Sequence, residues 1–313
     1  MLTRRHIRAK VMQSVYAMQQ SQSQDLDKEL KFLQNSADEM ESLYLLLMAL
    51  LTELHSLAVN QYEVAQKKYL ATPADKLLHQ KIKDNELLSL IATNEALQKT
   101  IVDAHINFWN IQEEYVRMLY KRIVESDTYQ DYSKQKASFE ADKKFLIEIF
   151  EEFIAPDEGL YEYIEDHNLT WMDDFPIVNT FILREFKNLR PNPPEKYFTP
   201  SLYNNSEEKD FLVDLLKKTA LNDTKLKSFV EDKLTNWDKE RVAVLDLIIL
   251  KMAICEFLHF PSIPVKVTIN EYLELAKEYS TAKSSLFING VLNVVHKELI
   301  EKELIKKIGR GLL

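Results

Sequence analysis

The chain has 313 residues, enough for one large or two ordinary domains, and 46% hydrophobic residues with 10% aromatics supply a real core. It holds only four glycines, which points to an almost entirely helical protein and away from nucleotide-binding loops, because strands, tight hairpins and phosphate-cradling loops all draw on glycine. One cysteine, Cys255, excludes an internal disulfide, and a net charge of −9 disfavours nucleic acid at face value, so any basic site must be local.

Residues 3–20 read as a first helix. Ile7, Val11, Val15 and Met18 form its apolar stripe, while Arg4 and Arg8 stand one turn apart on another face with Arg5 near them. No acid precedes Asp25, so this opening segment is wholly basic. Residues 21–25 are a polar break. Residues 39–69 carry a leucine stripe through Leu43, Leu46, Leu47, Leu50, Leu51, Leu54 and Leu57, which Pro73 ends. Helices follow over 75–125 and include Ile106, Trp109, Tyr115 and Leu119. Residues 127–133 read as a turn, and another helix runs to about Ile154. Residues 156–159 and 190–206 are loops, the second holding four of the nine prolines. The chain is helical again from Glu207 to about Lys307, with breaks near Asn222-Asp223, Trp237-Asp238 and 260–264.

Charge is uneven along the chain. Residues 142–187 hold twelve acids against four bases, a net of −8 that nearly accounts for the whole negative excess. An internal similarity recurs at a fixed offset of 66 residues, laying 142–183 over 208–249 with ten identities in 42 positions. Phe145-Leu146 falls on Phe211-Leu212, Asp157 on Asp223, Leu160 on Leu226 and Trp171 on Trp237. A degenerate duplication is the favoured reading, with the first copy the more acidic. The longest apolar run, 242–254, is interrupted by Asp246 and Lys251, so no membrane span is expected. The basic N-terminus is followed by no apolar stretch, so no signal peptide is expected, and a cytoplasmic location fits the single cysteine.

The stretch 263–299 is the most unusual. Pro264 suits a helix start, and Val265, Ile269, Leu273 and Ala276 define one buried face. Ser284 or Ser285 caps the next helix, which buries Ile288, Val291 or Leu292, Val295 and Leu299. Gly290 sits inside that helix at a cost of about 1 kcal/mol relative to alanine. Close approach of another helix backbone is the expected reason.

Enzymatic chemistry finds little support. The seven histidines are scattered, and no HExxH arrangement or second cysteine exists to hold a metal. Gly-x-Ser-x-Gly, Gly-x-x-x-x-Gly-Lys and Gly-x-Gly-x-x-Gly are all missing, so no cofactor is expected. Carboxylate pairs such as Glu162 with Asp166 read as solvated helix faces, and Cys255 as a small buried hydrophobe. Arg4, Arg5 and Arg8 are better candidates. Guanidinium forks suit phosphate, although a solubilising helix end explains them equally. Phe287 and Asn289 could stack on a base and read its edge, or form a second packing face.

These residues resemble the NusB family of bacterial transcription antitermination factors. Ile263-Pro264, Lys266-Val267, Ile269-Asn270-Glu271, Glu274-Leu275-Ala276-Lys277 and Phe287-Ile288-Asn289-Gly290-Val291-Leu292 look like the family's C-terminal signature. The arginine-rich first helix with Gln13 and Tyr16 matches too, and 207–257 fit the middle helices through Trp237, Asp246 and Ala253 to Glu256. The resemblance implies an all-α pair of small helical bundles without enzymatic activity. It implies binding of a short single-stranded RNA element in ribosomal RNA leader transcripts, together with the ribosomal protein NusE, in an antitermination complex on RNA polymerase. By position, Arg4, Arg5, Arg8, Lys283, Ser284, Phe287 and Asn289 would contact RNA, and Tyr16 and Asp246 would lie on or near the NusE surface. No membrane or small-molecule partner is implied. His6 interrupts the arginine run and makes one contact weaker or pH-dependent. On this reading 1–20 and 206–307 are the core, 308–313 is a tail, and 21–205 is an acidic helical insertion without counterpart in compact family members. The rival reading is a helical protein-interaction scaffold that binds no RNA of its own.

Overall fold

Thr3 starts the first helix, α1 (Arg4–Ser21), through a capping box: its side chain accepts the His6 N–H, and the His6 ring returns to the Thr3 backbone. The computed structural model describes residues 1–67, 77–203, 205–233, 243–281 and 283–312, and among these no strand occurs beyond an isolated bridge between Leu2 and Tyr203. The expected all-α class is therefore observed. The breaks at Pro73 and Trp237-Asp238 lie outside the described residues.

Helix α2 (Leu26–Lys67) begins thirteen residues before the expected start at Glu39. Asp25 accepts the Lys28 N–H as a cap, and Leu30, Leu33, Ala37 and Met40 continue the buried stripe at alternating spacings of three and four. By length and composition α2 could cross a membrane, but 67% of its most apolar window is buried, as in a core helix. Next come α3 (Gln80–Lys83), α4 (Glu86–Thr93), α5 (Glu95–Asp103), α6 (Phe108–Ile111) and α7 (Glu113–Val124). The expected turn at 127–133 is instead α8 (Asp127–Lys134). Ser126 caps it, and Tyr129 and Tyr132, three residues apart, are both buried. Helix α9 (Phe139–Ile149) ends in a π turn, Phe150–Ile154. Then come α10 (Glu158–His167), capped by Asp157, and α11 (Phe175–Asn188). Five helices complete the chain: α12 (Ser206–Leu221), α13 (Asp223–Glu231), α14 (Val244–His259), α15 (Val265–Tyr279) and α16 (Ser284–Glu301).

The chain divides into two compact units, one of Met1 with 38–202 and one of 2–37 with 203–313, so the N-terminal division falls inside α2. In the first unit the leucine stripe of α2 is buried, and Trp109 and Trp171 donate their indole N–H to the carbonyls of Leu46 and Glu39 at 2.7 and 2.8 Å. Asn85, Tyr132 and Asp142 form a buried polar chain in which every member is satisfied. In the second unit α1 packs on α12 and α14, and α14, α15 and α16 pack on one another. Leu212, Leu215, Leu216, Ile248, Ile249, Ile288 and Leu292 are fully buried there. At the 66-residue offset in sequence, α9 with its π turn corresponds to α12, α10 to α13 and α11 to α14.

Candidate nucleic-acid interface

The second unit holds the candidate residues in two places. At the start of α1, Arg4 is half-buried and reaches Glu207 at 3.4 Å, while Arg5 is exposed and grips Glu271 of α15 through two bonds of 3.0 and 2.9 Å. Arg5 donates to Glu271 and holds that carboxyl below its usual range; burial opposes the shift, and Arg8 adds to it. Both arginines line a cavity of about 670 Å³ with His6, Pro264 and Glu271.

Arg8 borders the same cavity, but its side chain belongs to the core. It is 2% exposed and donates Nε and Nη2 to the fully buried Glu256 at 2.8 Å each. Thr268 donates its hydroxyl to Glu256 at 2.7 Å, and the Phe211 and Tyr272 rings lie 5.3 and 5.7 Å from the guanidinium carbon. Burial disfavours the charge on Arg8, yet the Glu256 carboxylate outweighs it and raises the pKa. A phosphate could replace Glu256 only by leaving a buried carboxylate unpaired, so the expected phosphate contact at Arg8 is corrected to a structural pair. Local periodicity gives no sign of this pairing, because the buried acid lies 248 positions along the chain.

His6 also changes role. Burial pushes its imidazole down to about 4, helped by the charges of Arg5 and Lys10, so it stays neutral and serves the capping box.

A further cation was missed. Arg310 is exposed and lines the arginine cavity. The tail that carries it docks through Ile308 N–H to Pro261 O at 3.0 Å and Lys307 Nζ to Phe260 O at 3.0 Å. Two of the four glycines flank Arg310. Gly309 has φ +52°, and a Cβ on Gly311 would stand 1.9 Å from Pro261 O. That pairing of rare glycines around an arginine was the available signal.

The second place is the turn before α16. Lys283 is exposed, and Phe287 and Asn289 are half-buried; none of these, nor Ser284, lines the arginine cavity. Asn289 Oδ1 accepts from Asn293 at 2.8 Å. Ser284 is 3% exposed and donates to Asp246 Oδ2 at 2.8 Å, while Ser280 donates to Oδ1 at 2.5 Å. Ser284 is thus neither a helix cap nor an RNA contact, and Asp246, 5% exposed, is no partner surface. The buried carboxylate instead clamps the turn that presents Lys283. Gly290 is exposed, and a Cβ added there would meet nothing within 4 Å, so the expected close helix approach is absent among the described residues. Tyr16 is 42% exposed on α1. Burial of Cys255 pushes its thiol up to about 12, which leaves it an inert core side chain as expected.

Residues 192–297 match the model of the NusB family. The same region is similar to proteins named transcription antitermination protein NusB. That of Chloroherpeton thalassium is 37% identical over 105 residues, 34% of this chain and 50% of the relative. That of Salinibacter ruber is 35% identical over 105 residues, covering 34% and 66%, and that of Clostridium kluyveri is 46% identical over 94 residues, covering 30% and 60%. The chain thus spans between half and two thirds of the length of these curated relatives. No solved structure matches the chain.

Proposed function

With residues 192–297 forming a NusB-family domain as the premise, we propose that this chain is a non-enzymatic antitermination factor that binds single-stranded leader RNA with its second unit. One observation carries the reading. Three guanidinium groups, Arg4, Arg5 and Arg310, meet at one open cavity, although the chain as a whole is acidic. Guanidinium forks match phosphate oxygens, and a chain of phosphates releases counterions when it binds them. Glu271 occupies Arg5 in the free protein, so RNA binding exchanges this carboxylate for a phosphate. Lys283 adds a further charge, and Phe287 and Asn289 supply a ring and an amide for an unpaired base. Arg8 and Asp246 act behind the surface: one anchors α1 to α14 and the other holds the turn before α16. NusE, with RNA polymerase beyond it, is the proposed protein partner, contacting α1 near the exposed Tyr16.

The test is a salt titration of binding to a single-stranded leader RNA oligonucleotide, read by gel shift or anisotropy. Arg4→Ala, Arg5→Ala and Arg310→Ala should each flatten the slope of log affinity against log salt by about 0.7. A triple variant with the wild-type slope would defeat the proposal.

A further inference from the structure

The first unit carries a concentration of negative charge on α10. Glu158, Glu162 and Glu165 stand three and four residues apart on α10, with Tyr161 among them, and all four are exposed. None of the three glutamates has an ion-pair partner among the described residues. Like charges at this spacing weaken a helix, so the face is poised to gain from a cation. Asp157, by contrast, is already engaged by the Leu160 N–H, the Tyr115 hydroxyl and Arg122.

A second observation comes from the neighbouring helix. Asn179 of α11 is 6% exposed, and its Oδ1 is buried without a hydrogen-bond partner. An unpaired buried acceptor is costly, and a donor arriving from outside would remove the cost. Asn179 lines a cavity of about 770 Å³ together with Phe175 and the acidic face of α10. The Tyr161 and Phe175 rings meet edge to face at 6.3 Å. The cavity therefore offers a buried acceptor, an aromatic wall and an unpaired acidic rim.

We propose that this cavity docks a basic segment of a protein partner, which delivers a lysine or arginine head to Asn179 Oδ1 and lays its aliphatic stem along Tyr161 and Phe175. Ammonium and guanidinium groups only donate, so they suit an acceptor that lacks a donor. Their stems bury against apolar surface, their charge is attracted to ring faces, and the rim glutamates steer them in. Among the described residues no group of three or more His, Cys, Asp or Glu is placed to hold a metal ion, so the acidic rim is not a metal cage. The second unit offers a parallel. At the 66-residue offset, Asp223 and Lys227 line a cavity whose other wall is Val15, Met18 and Gln19 of α1, so the corresponding helix pair already faces a helix there.

The experiment titrates the full chain into a fluorescein-labelled lysine–arginine nonapeptide and follows anisotropy, with spermine as competitor. Asn179→Leu should weaken binding by about tenfold or more while leaving the salt dependence unchanged. Its melting temperature should hold or rise, since an apolar side chain of similar size relieves the orphaned acceptor. Glu158→Gln/Glu162→Gln/Glu165→Gln should weaken binding and flatten its salt dependence. Wild-type affinity in either variant would overturn the proposal, as would a lower melting temperature for Asn179→Leu with binding intact. Displacement of the peptide by spermine at equal charge would also overturn it, in favour of a small polycation. The triple glutamine variant lies on an exposed face, so it decides the matter alone if Asn179→Leu does not fold. RNA affinity should be unchanged in both variants, which keeps this test separate from that of the arginine cavity.

Discussion

Replacing Arg8 by Met separates a core cation from a ligand-binding one. Arg8 is 2% exposed and Glu256 fully buried, joined by two bonds of 2.8 Å. Removing the guanidinium alone leaves Glu256 with the Thr268 hydroxyl as its remaining side-chain donor. Breaking a buried pair this way costs about 3–5 kcal/mol, because the surviving charge stays desolvated. Replacing both partners by apolar groups of similar size is instead neutral or stabilising by about 1–4 kcal/mol. Arg8→Met should therefore lose about 3–5 kcal/mol in urea denaturation, and Arg8→Met/Glu256→Met should regain most of it. Hydrogen exchange of the α1 and α14 amides localises the loss to this unit. Arg5→Met, whose pair with Glu271 is open to solvent, should cost less than about 1 kcal/mol. Wild-type stability in Arg8→Met, combined with a flatter salt slope for RNA, would refute the assignment of Arg8 to the core.

Three further outcomes follow from the same unit. An unperturbed histidine titrates near 6.5 and burial lowers folded His6 to about 4, so the unfolded chain binds the extra proton between those values. The stability linked to His6 is thus fully present above 6.5 and is lost as pH falls toward 4. His55, His259 and His296 shift the same way, so the measured quantity is the difference between the wild type and His6→Gln, whose amide keeps the capping acceptor without the charge. Identical pH slopes in the two proteins would contradict this role. Gly290→Ala should stabilise by about 0.5–1 kcal/mol in thermal melts, because the position is helical, exposed and open; a loss would reveal a hidden contact. Asp246→Ala removes the acceptor of two serine hydroxyls and should cost about 2 kcal/mol. Faster amide exchange around Ser280 to Ser284 is the readout, and unchanged exchange would show that the clamp does not hold the turn.

The helices themselves were legible because their signals are local. The stripes of α1, α2 and α16, the proline before α15 and the scarcity of glycine all act over one or two turns. The start of α2 and the existence of α8 were missed for an equally local reason: polar residues outnumber apolar ones there, and caps at Asp25 and Ser126 plus a sparse buried stripe sufficed. The sites divide differently. That a basic cluster opens the chain, and that 142–187 are acidic, are facts of composition which no fold could alter. Which arginine faces solvent is another matter. Arg4, Arg5 and Arg8 are equivalent by residue type, and only a glutamate 248 positions away, buried beside Arg8, takes one of them into the core. The same holds for Asp246 and Ser284, polar residues that satisfy each other in the interior, and for Arg310, carried back to the arginine cavity by a tail docked on Pro261. Charge and periodicity are properties of the chain; burial is a property of the partners that long-range folding supplies, and it decides which charges are left for a ligand.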